Sequence, residues 1–289
     1  MAGKVKLVSF ATDNLRNQQF ALEASAKGCE DISLIASWNE RRLSSTRFYL
    51  DNNDVLKEKR GGGLWLWKPY IILEELEKND DSEFVLYYDV GRRAGNRLPK
   101  DLTTLIDWAA KGSGAVPGVY IPQYGPNSWW TKRDAFVLTH CDGQQYADTP
   151  QVQATFSLWR KNRVCKEFVF LWLGYCRDRR IISDDNNICG FDNYDGFIQH
   201  RHDQSILTLL CIRENLKAIG SATEIMEKSK EISAVINQLN GLKAGVTVTK
   251  LMRRARFAAR RAPVLGRLIE KIQPRGEVQR ILNHRGLFP

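Results

Sequence analysis

The chain has 289 residues, 43% of them hydrophobic and 10% aromatic, enough core material for one large α/β domain with an appendage or for two small domains, so it should fold as a globular protein. The formal charge of +10 is not evenly spread: residues 250–289 hold eleven Lys and Arg against two Glu, net +9, and residues 1–249 hold 32 basic and 31 acidic side chains, net +1. A neutral body with a basic tail does not have the charge distribution of a general nucleic-acid binder.

The opening MAGKVKLVSFATDN runs directly into a short β-branched apolar segment without the long apolar region and cleavage site of a signal peptide, so no secretion is expected. The longest apolar stretch elsewhere, Phe168 to Cys176, is under half of a membrane span, and no transmembrane anchor is expected. Six scattered cysteines without a CxxC pair suggest neither a zinc ribbon nor a redox dithiol, and read as reduced thiols of a cytosolic protein.

In chain order, Lys4 to Thr12 reads as a first strand, Arg16 to Gly28 as a helix stopped by its glycine, and Asp31 to Trp38 as a second strand. Strand, helix, strand is the opening of a parallel sheet with a right-handed crossover, whose ligands gather at the carboxyl ends of the strands. A glycine-rich loop, RGGG, then runs into Lys68-Pro69, where the proline suits a first helical turn and Tyr70 to Leu76 carries apolar helical spacing. The third strand, Phe84 to Tyr88, ends at Asp89, which should therefore lie on the ligand side of the sheet. A helix is expected over roughly Asp101 to Ala110, then an aromatic, turn-rich loop, GVYIPQYGPNSWWTKRD, of functional composition. Gln151 to Asn162 reads as one strand, Val164 to Arg179 as an amphipathic helix, and HRHDQSILTLLCIREN as a helix that starts polar and becomes buried. A helix near Ala222 to Leu239 precedes a basic amphipathic segment with Leu265, Leu268, Ile269 and Ile272 on one face, interrupted at Pro263.

A strand-terminal carboxylate such as Asp89 has three common meanings: a cap or structural ion pair, an acid or base, or a ligand for a hard cation. Two neighbours bear on the choice. Lys68 at a helix start offers a positive charge and free backbone N–H groups suited to a diphosphate. His200, His202, Asp203 and Gln204 bring two imidazoles, a carboxylate and a carboxamide to the head of one helix, where a satisfied capping cluster is the structural alternative.

The ordered set GGGLWLWKPYIILEEL, FVLYYDVG, WWTKRDAFVL, TPQVQATFSLWRKN, FLWLGYCRD and HRHDQSIL resembles a group of bacterial glycosyltransferases from capsule and O-antigen gene clusters, over roughly residues 4 to 215. His202-Asp203-Gln204-Ser205 is similar to the HDES segment of retaining galactosyltransferases of the blood-group type, and Asp203-Gln204 to the DQD of the glycogenin type. The resemblance implies an α/β fold of the GT-A (Rossmann-like), nucleotide-sugar type with a mixed, mainly parallel sheet in a catalytic domain over residues 1–220; the residue pattern itself predicts a helical basic extension over 221–289. It implies a hexosyltransferase using a nucleotide-diphosphate sugar with Mn2+ or Mg2+. Asp89 matches an acid of the DxD motif that holds the metal; Asp203 matches the carboxylate gripping donor-sugar hydroxyls; Gln204 matches the residue on the sugar face opposite the leaving group, where an amide favours same-face retention over a covalent intermediate. The second DxD acid is missing, since Tyr87 and Gly91 flank Asp89, so His200 or His202 is expected as the further metal ligand.

Other assignments follow the same frame. Thr12, Ser37, Lys68, Gln153 and His202 are expected on the donor, Tyr124, Trp129 and Trp130 as an aromatic platform for the acceptor, and Asp134 as an acceptor-side base only in an inverting reaction. Arg92 and Arg93 are candidates for phosphate contact or solvated surface. The tail is expected at an anionic membrane surface beside a lipid-linked glycan acceptor, on the inner face of the cytoplasmic membrane, with packing on a protein surface as the alternative and no nucleic-acid partner. A catalytically silent scaffold and a sugar-phosphate nucleotidyltransferase are the other readings; the second expects a basic glycine loop after the first strand, which is absent here.

Overall fold

Strand β1 (Val5–Ala11) is buried at every position, because it runs through the middle of a sheet covered on both faces. A computed structural model describes residues 4–91, 98 and 102–219 of the chain. In it β1 pairs in parallel with β2 (Ile32–Asn39) and with β3 (Phe84–Tyr88). After the two-residue strands β4 (Ala115–Val116), β5 (Val119–Tyr120) and β6 (Val152–Gln153), strand β7 (Phe156–Arg160) lies antiparallel to β3 and to β4. The main sheet has the order β2-β1-β3-β7-β4, and β5 and β6 form a separate antiparallel ribbon. The fold is α/β with a mixed, partly parallel sheet.

Period-two alternation divides the core. Val5 and Leu7, Phe84 and Leu86, and Phe156 and Leu158 face one layer, where the helix Arg16–Ala26 adds Leu22 and Ala26. Val8, Phe10, Val85, Tyr87 and Trp159 face the other, against Ile71, Ile72 and Leu76 of the helix Trp67–Glu77 and Phe168 and Trp172 of the helix Arg163–Cys176. Lys6 shares the second face and is buried there, 3.2 Å from the Glu75 carboxylate, which also accepts from Trp38 Nε1, Arg42 and Lys78. Several donors on one buried acid compensate the cost of burying it.

Two expected elements differ. The single strand over Gln151 to Asn162 is broken at Ala154 and Thr155, because β6 pairs with β5 and β7 joins the main sheet. The helix expected to Arg179 stops at Cys176, and Asp178 caps a separate turn, Arg179–Ile182, by accepting from Arg180 N. The other strands and helices up to Arg213 lie within a few residues of expectation, and β3 ends at Tyr88 as read. Among the described residues no helix is long and apolar enough to cross a membrane. The expected helix over 222–239, the basic segment, Arg92, Arg93 and the extension 221–289 lie outside the described residues.

The glycine-rich loop is a left-handed turn. Five consecutive residues have positive φ: Gly61 at 63°, Gly62 at 59°, Gly63 at 99°, Leu64 at 53° and Trp65 at 60°. A Cβ on Gly63 would lie 2.7 Å from Leu56 Cα, so both conformation and space demand glycine there. Trp67 closes the turn, its Nε1 donating to Gly61 O at 2.9 Å and its ring stacking on Phe10.

Candidate active site

Because β1, β2 and β3 are parallel, their carboxyl ends reach one edge of the sheet, and β7, running the other way, brings its amino end there. Asp89 follows β3 directly and is fixed by its N–H to Thr155 O at 2.8 Å. Lys68, in the first turn of Trp67–Glu77, reaches the same place, and Asp203 begins the helix Asp203–Arg213. The Lys68 ammonium is 2.8 Å from Asp203 Oδ2, 3.6 Å from Asp89 Oδ1, and donates to Ala154 O at 3.0 Å. The Tyr87 hydroxyl donates to Asp89.

Lys68 and Asp203 are almost fully buried, whereas the Asp89 side chain is 24% exposed and is the open member of the trio. Burial disfavours the Lys68 ammonium, but Asp203 and Asp89 together outweigh it and raise its pKa. Burial raises Asp203 to about 6, with the like charge of Asp89 adding to the effect and Lys68 opposing it. The Tyr87 hydroxyl is pushed well above its usual value by burial and by Asp89. The trio thus holds one firmly charged cation between a solvent-facing carboxylate and a carboxyl group that ionises just below neutrality.

Lys68 differs from expectation in one respect: its backbone N–H is not free, because it donates to Trp65 O at 2.9 Å. The Gly62, Gly63 and Leu64 amides are likewise taken by Lys59, Glu58 and Arg60 carbonyls. The glycines therefore serve the left-handed turn, and the site's positive charge is the side chain of Lys68.

The donor set does not fit a dedicated divalent-metal site. Among the described residues no three His, Cys, Asp or Glu side chains come together as a metal-binding group, and Asp89 and Asp203 are bridged by the Lys68 ammonium. His200 and His202, expected as further ligands beside Asp89, are each held through Nδ1 by other parts of the chain, and His202 Nε2 lies 3.6 Å from Asp184. His200 Nδ1 accepts from Lys132 N at 3.2 Å, His202 Nδ1 donates to Ile182 O at 2.7 Å, and the His202 ring stacks on Trp65. Burial lowers the pKa of both imidazoles.

Gln204 lies beside the trio with both ends of its amide engaged: Nε2 donates to Gln151 Oε1 at 2.7 Å and Oε1 accepts from Ala154 N at 3.3 Å. Thr12 ends β1 where expected, its Cγ2 3.6 Å from the position a Cβ of Gly62 would take. Ser37 is not terminal: β2 runs on to Asn39, and the Ser37 hydroxyl donates to Glu23. Gln153 is partly buried in the β5-β6 ribbon. Trp130 is buried, its Nε1 donating to Tyr124 O and its ring beneath Arg201, so it lacks the open face of a stacking platform. Trp129 is half-buried, in space that a Cβ on Gly125 or Gly196 would enter, and Tyr124 is half-buried beside it. Asp134, expected as an acceptor-side base only in an inverting reaction, is fully buried and accepts from the Ile188 and Cys189 amides at 2.9 and 2.8 Å, which anchors the following loop.

Gln151 is the buried neighbour of Gln204 that sequence reasoning missed. Its Nε2 donates to Asn127 Oδ1, Thr131 Oγ1 and Ser205 Oγ while its Oε1 holds Gln204, which joins the aromatic loop to the head of the last helix. The available signal was a second glutamine two residues before Gln153, beside Pro150. The chain matches no protein-family model, and no curated protein matches it.

Proposed function

We propose that the chain is a glycosyltransferase of the GT-A type that moves a sugar from a nucleotide-diphosphate donor to a surface-polysaccharide or lipid-linked glycan acceptor. The observation that carries this reading is the Lys68, Asp89 and Asp203 cluster at the common carboxyl edge of three parallel strands, where α/β sheets bind nucleotides. The resemblance of the motifs that supply these three residues adds to it, as does an antiparallel β7 beside the parallel strands.

In this reading the ionised Asp203 accepts hydrogen bonds from donor-sugar hydroxyls, Asp89 contributes from the open side, and Lys68 offsets their charge and favours the anionic diphosphate as it departs. The C1–O bond to the diphosphate breaks and a C1–O bond to the acceptor hydroxyl forms on the same face. The hydroxyl proton passes to the leaving diphosphate oxygen. Gln204, held by Gln151 and Ala154, keeps its amide dipole beside the reacting face and forms no covalent bond. No step is routed through a metal. The cytoplasmic face of a membrane, met by the basic tail, is the proposed working place.

A thermal-shift panel of nucleotide sugars, each with EDTA or with Mn2+, tests the reading, because a ligand at 100 times its Kd stabilises by about 2.7 kcal/mol. The expected outcome is one donor class that raises Tm in the wild type and not in Asp89→Ala. A shift seen only with Mn2+ would restore metal assistance. Release of pyrophosphate would indicate a nucleotidyltransferase, and no shift with any donor would leave the scaffold reading. The product's anomeric configuration by NMR tests retention, which an inverted product overturns.

A further inference from the structure

From Ser183 to His202 the chain forms no helix or strand, a length of irregular chain that in compact domains is usually functional. It is nevertheless held at several points. Besides the two amides on Asp134, Asn193 Oδ1 accepts from Arg133 N at 2.7 Å, Lys132 Nζ donates to Asp185 O at 2.6 Å, and Trp129 O accepts from Ile198 N at 2.8 Å. The loop encloses a cleft of about 680 Å³ whose walls do not include Lys68, Asp89 or Asp203. That is the size range of small-molecule sites.

The chemistry of the cleft selects its ligand. Asp184, Asp185 and Asp192 line it with the ammonium of Lys132; Asp184 is paired with Arg60 at 2.8 Å, Asp185 with Arg179 at 2.9 Å, and Lys132 is 3.3 Å from Asp134 and bonded to the Asp185 carbonyl. Among the described residues the cations about the cleft are thus already matched by carboxylates, and none is left over for a phosphate or carboxylate group. Carboxylates and amides suit hydroxyl groups, which both donate and accept. Phe191 has the Arg133 guanidinium 5.2 Å from its ring centre but, unlike the buried Trp130, is 56% exposed at the cleft, and that exposed surface suits the C–H side of a sugar ring. His200, 1% exposed and with Nδ1 accepting from Lys132 N, closes the floor.

We infer that this cleft is a binding site for an uncharged sugar ring, and that in the transferase reading, on which the word acceptor rests, it holds the acceptor glycan. Trp129 then acts from behind the loop, with Gly196 over its indole, and the stacking aromatic is Phe191.

Saturation-transfer NMR with methyl glycosides of glucose, galactose, mannose and N-acetylglucosamine tests this, with nucleoside-diphosphate binding to the same samples as control. Phe191→Ala and Asp192→Asn change exposed loop residues and leave the core intact. The expected result is saturation of at least one neutral glycoside by the wild type, at least tenfold weaker binding in Phe191→Ala, weaker binding in Asp192→Asn, and unchanged nucleotide binding. Nucleotide binding without any glycoside binding overturns the sugar site alone, as does glycoside binding that neither variant weakens. Glycoside binding with no nucleotide binding keeps the sugar site and removes the transferase reading. A preference for a glycoside 6-phosphate over its neutral parent overturns the charge argument, and absence of both ligands overturns both proposals.

Discussion

Lys68 is the residue on which the electrostatics of the candidate site turn. Removing it as Lys68→Met leaves Asp203 buried without a cation, and loss of one partner of a buried pair costs about 3–5 kcal/mol. That loss is expected in urea unfolding at pH 8. The sign of its pH dependence follows from Asp203, whose folded pKa of about 6 lies above the ordinary 3.8. The folded state binds that proton more tightly than the unfolded state, so the group's contribution is full below 3.8 and is lost as pH rises through 6. At pH 5 Asp203 is mostly protonated and there is less charge to strand, so the Lys68→Met penalty should shrink. Donor affinity should behave oppositely if the carboxylate does the gripping: titration calorimetry should show binding strengthen between pH 5 and 7 with a midpoint near 6. Asp203→Asn should flatten that profile, and an unchanged midpoint would remove Asp203 from the donor.

Among the elements, the left-handed turn leads into Lys68 and the loop after Ile182 lines the second cleft. Gly63→Ala imposes both a positive φ on a side chain and a 2.7 Å contact with Leu56, so it should cost about 2–4 kcal/mol. Gly62→Ala meets nothing closer than 3.6 Å and should cost about 1 kcal/mol, from conformation alone. Denaturant unfolding of both variants checks the order; equal losses would show that the Leu56 contact does not matter. In the loop, Asp134→Asn removes the charge that holds the Ile188 and Cys189 amides. Their hydrogen-exchange protection should fall at least about tenfold while β3 amides keep theirs, because local opening is separable from global unfolding.

At the scale of the molecule, the charge separation between body and tail makes a prediction that does not depend on the site. Deleting residues 250–289 removes a net +9, and each basic residue near an anionic surface contributes about 1 kcal/mol. Co-sedimentation with phosphatidylserine vesicles should be lost on deletion and weaken with salt in the full chain; binding unchanged by the deletion would end the membrane proposal.

What the sequence by itself determined follows from local physics. Continuous apolar runs marked β1 and β3 to within a residue, apolar spacing marked the helices, and the end of a buried strand put Asp89 at the ligand edge. The tertiary structure decided what spacing along the chain does not encode. Lys68, Asp89 and Asp203 meet only because β1 and β3 are parallel and a later helix begins beside them, so the ammonium between the two carboxylates could not be read from three separate motifs. Gln151 became a hub, and His200 and His202 turned towards Lys132 and Ile182, through contacts more than fifty residues away in two of those three cases. The five left-handed residues depended on packing against Leu56 and Phe10, since glycines show that a positive φ is allowed and only neighbours show that it is used.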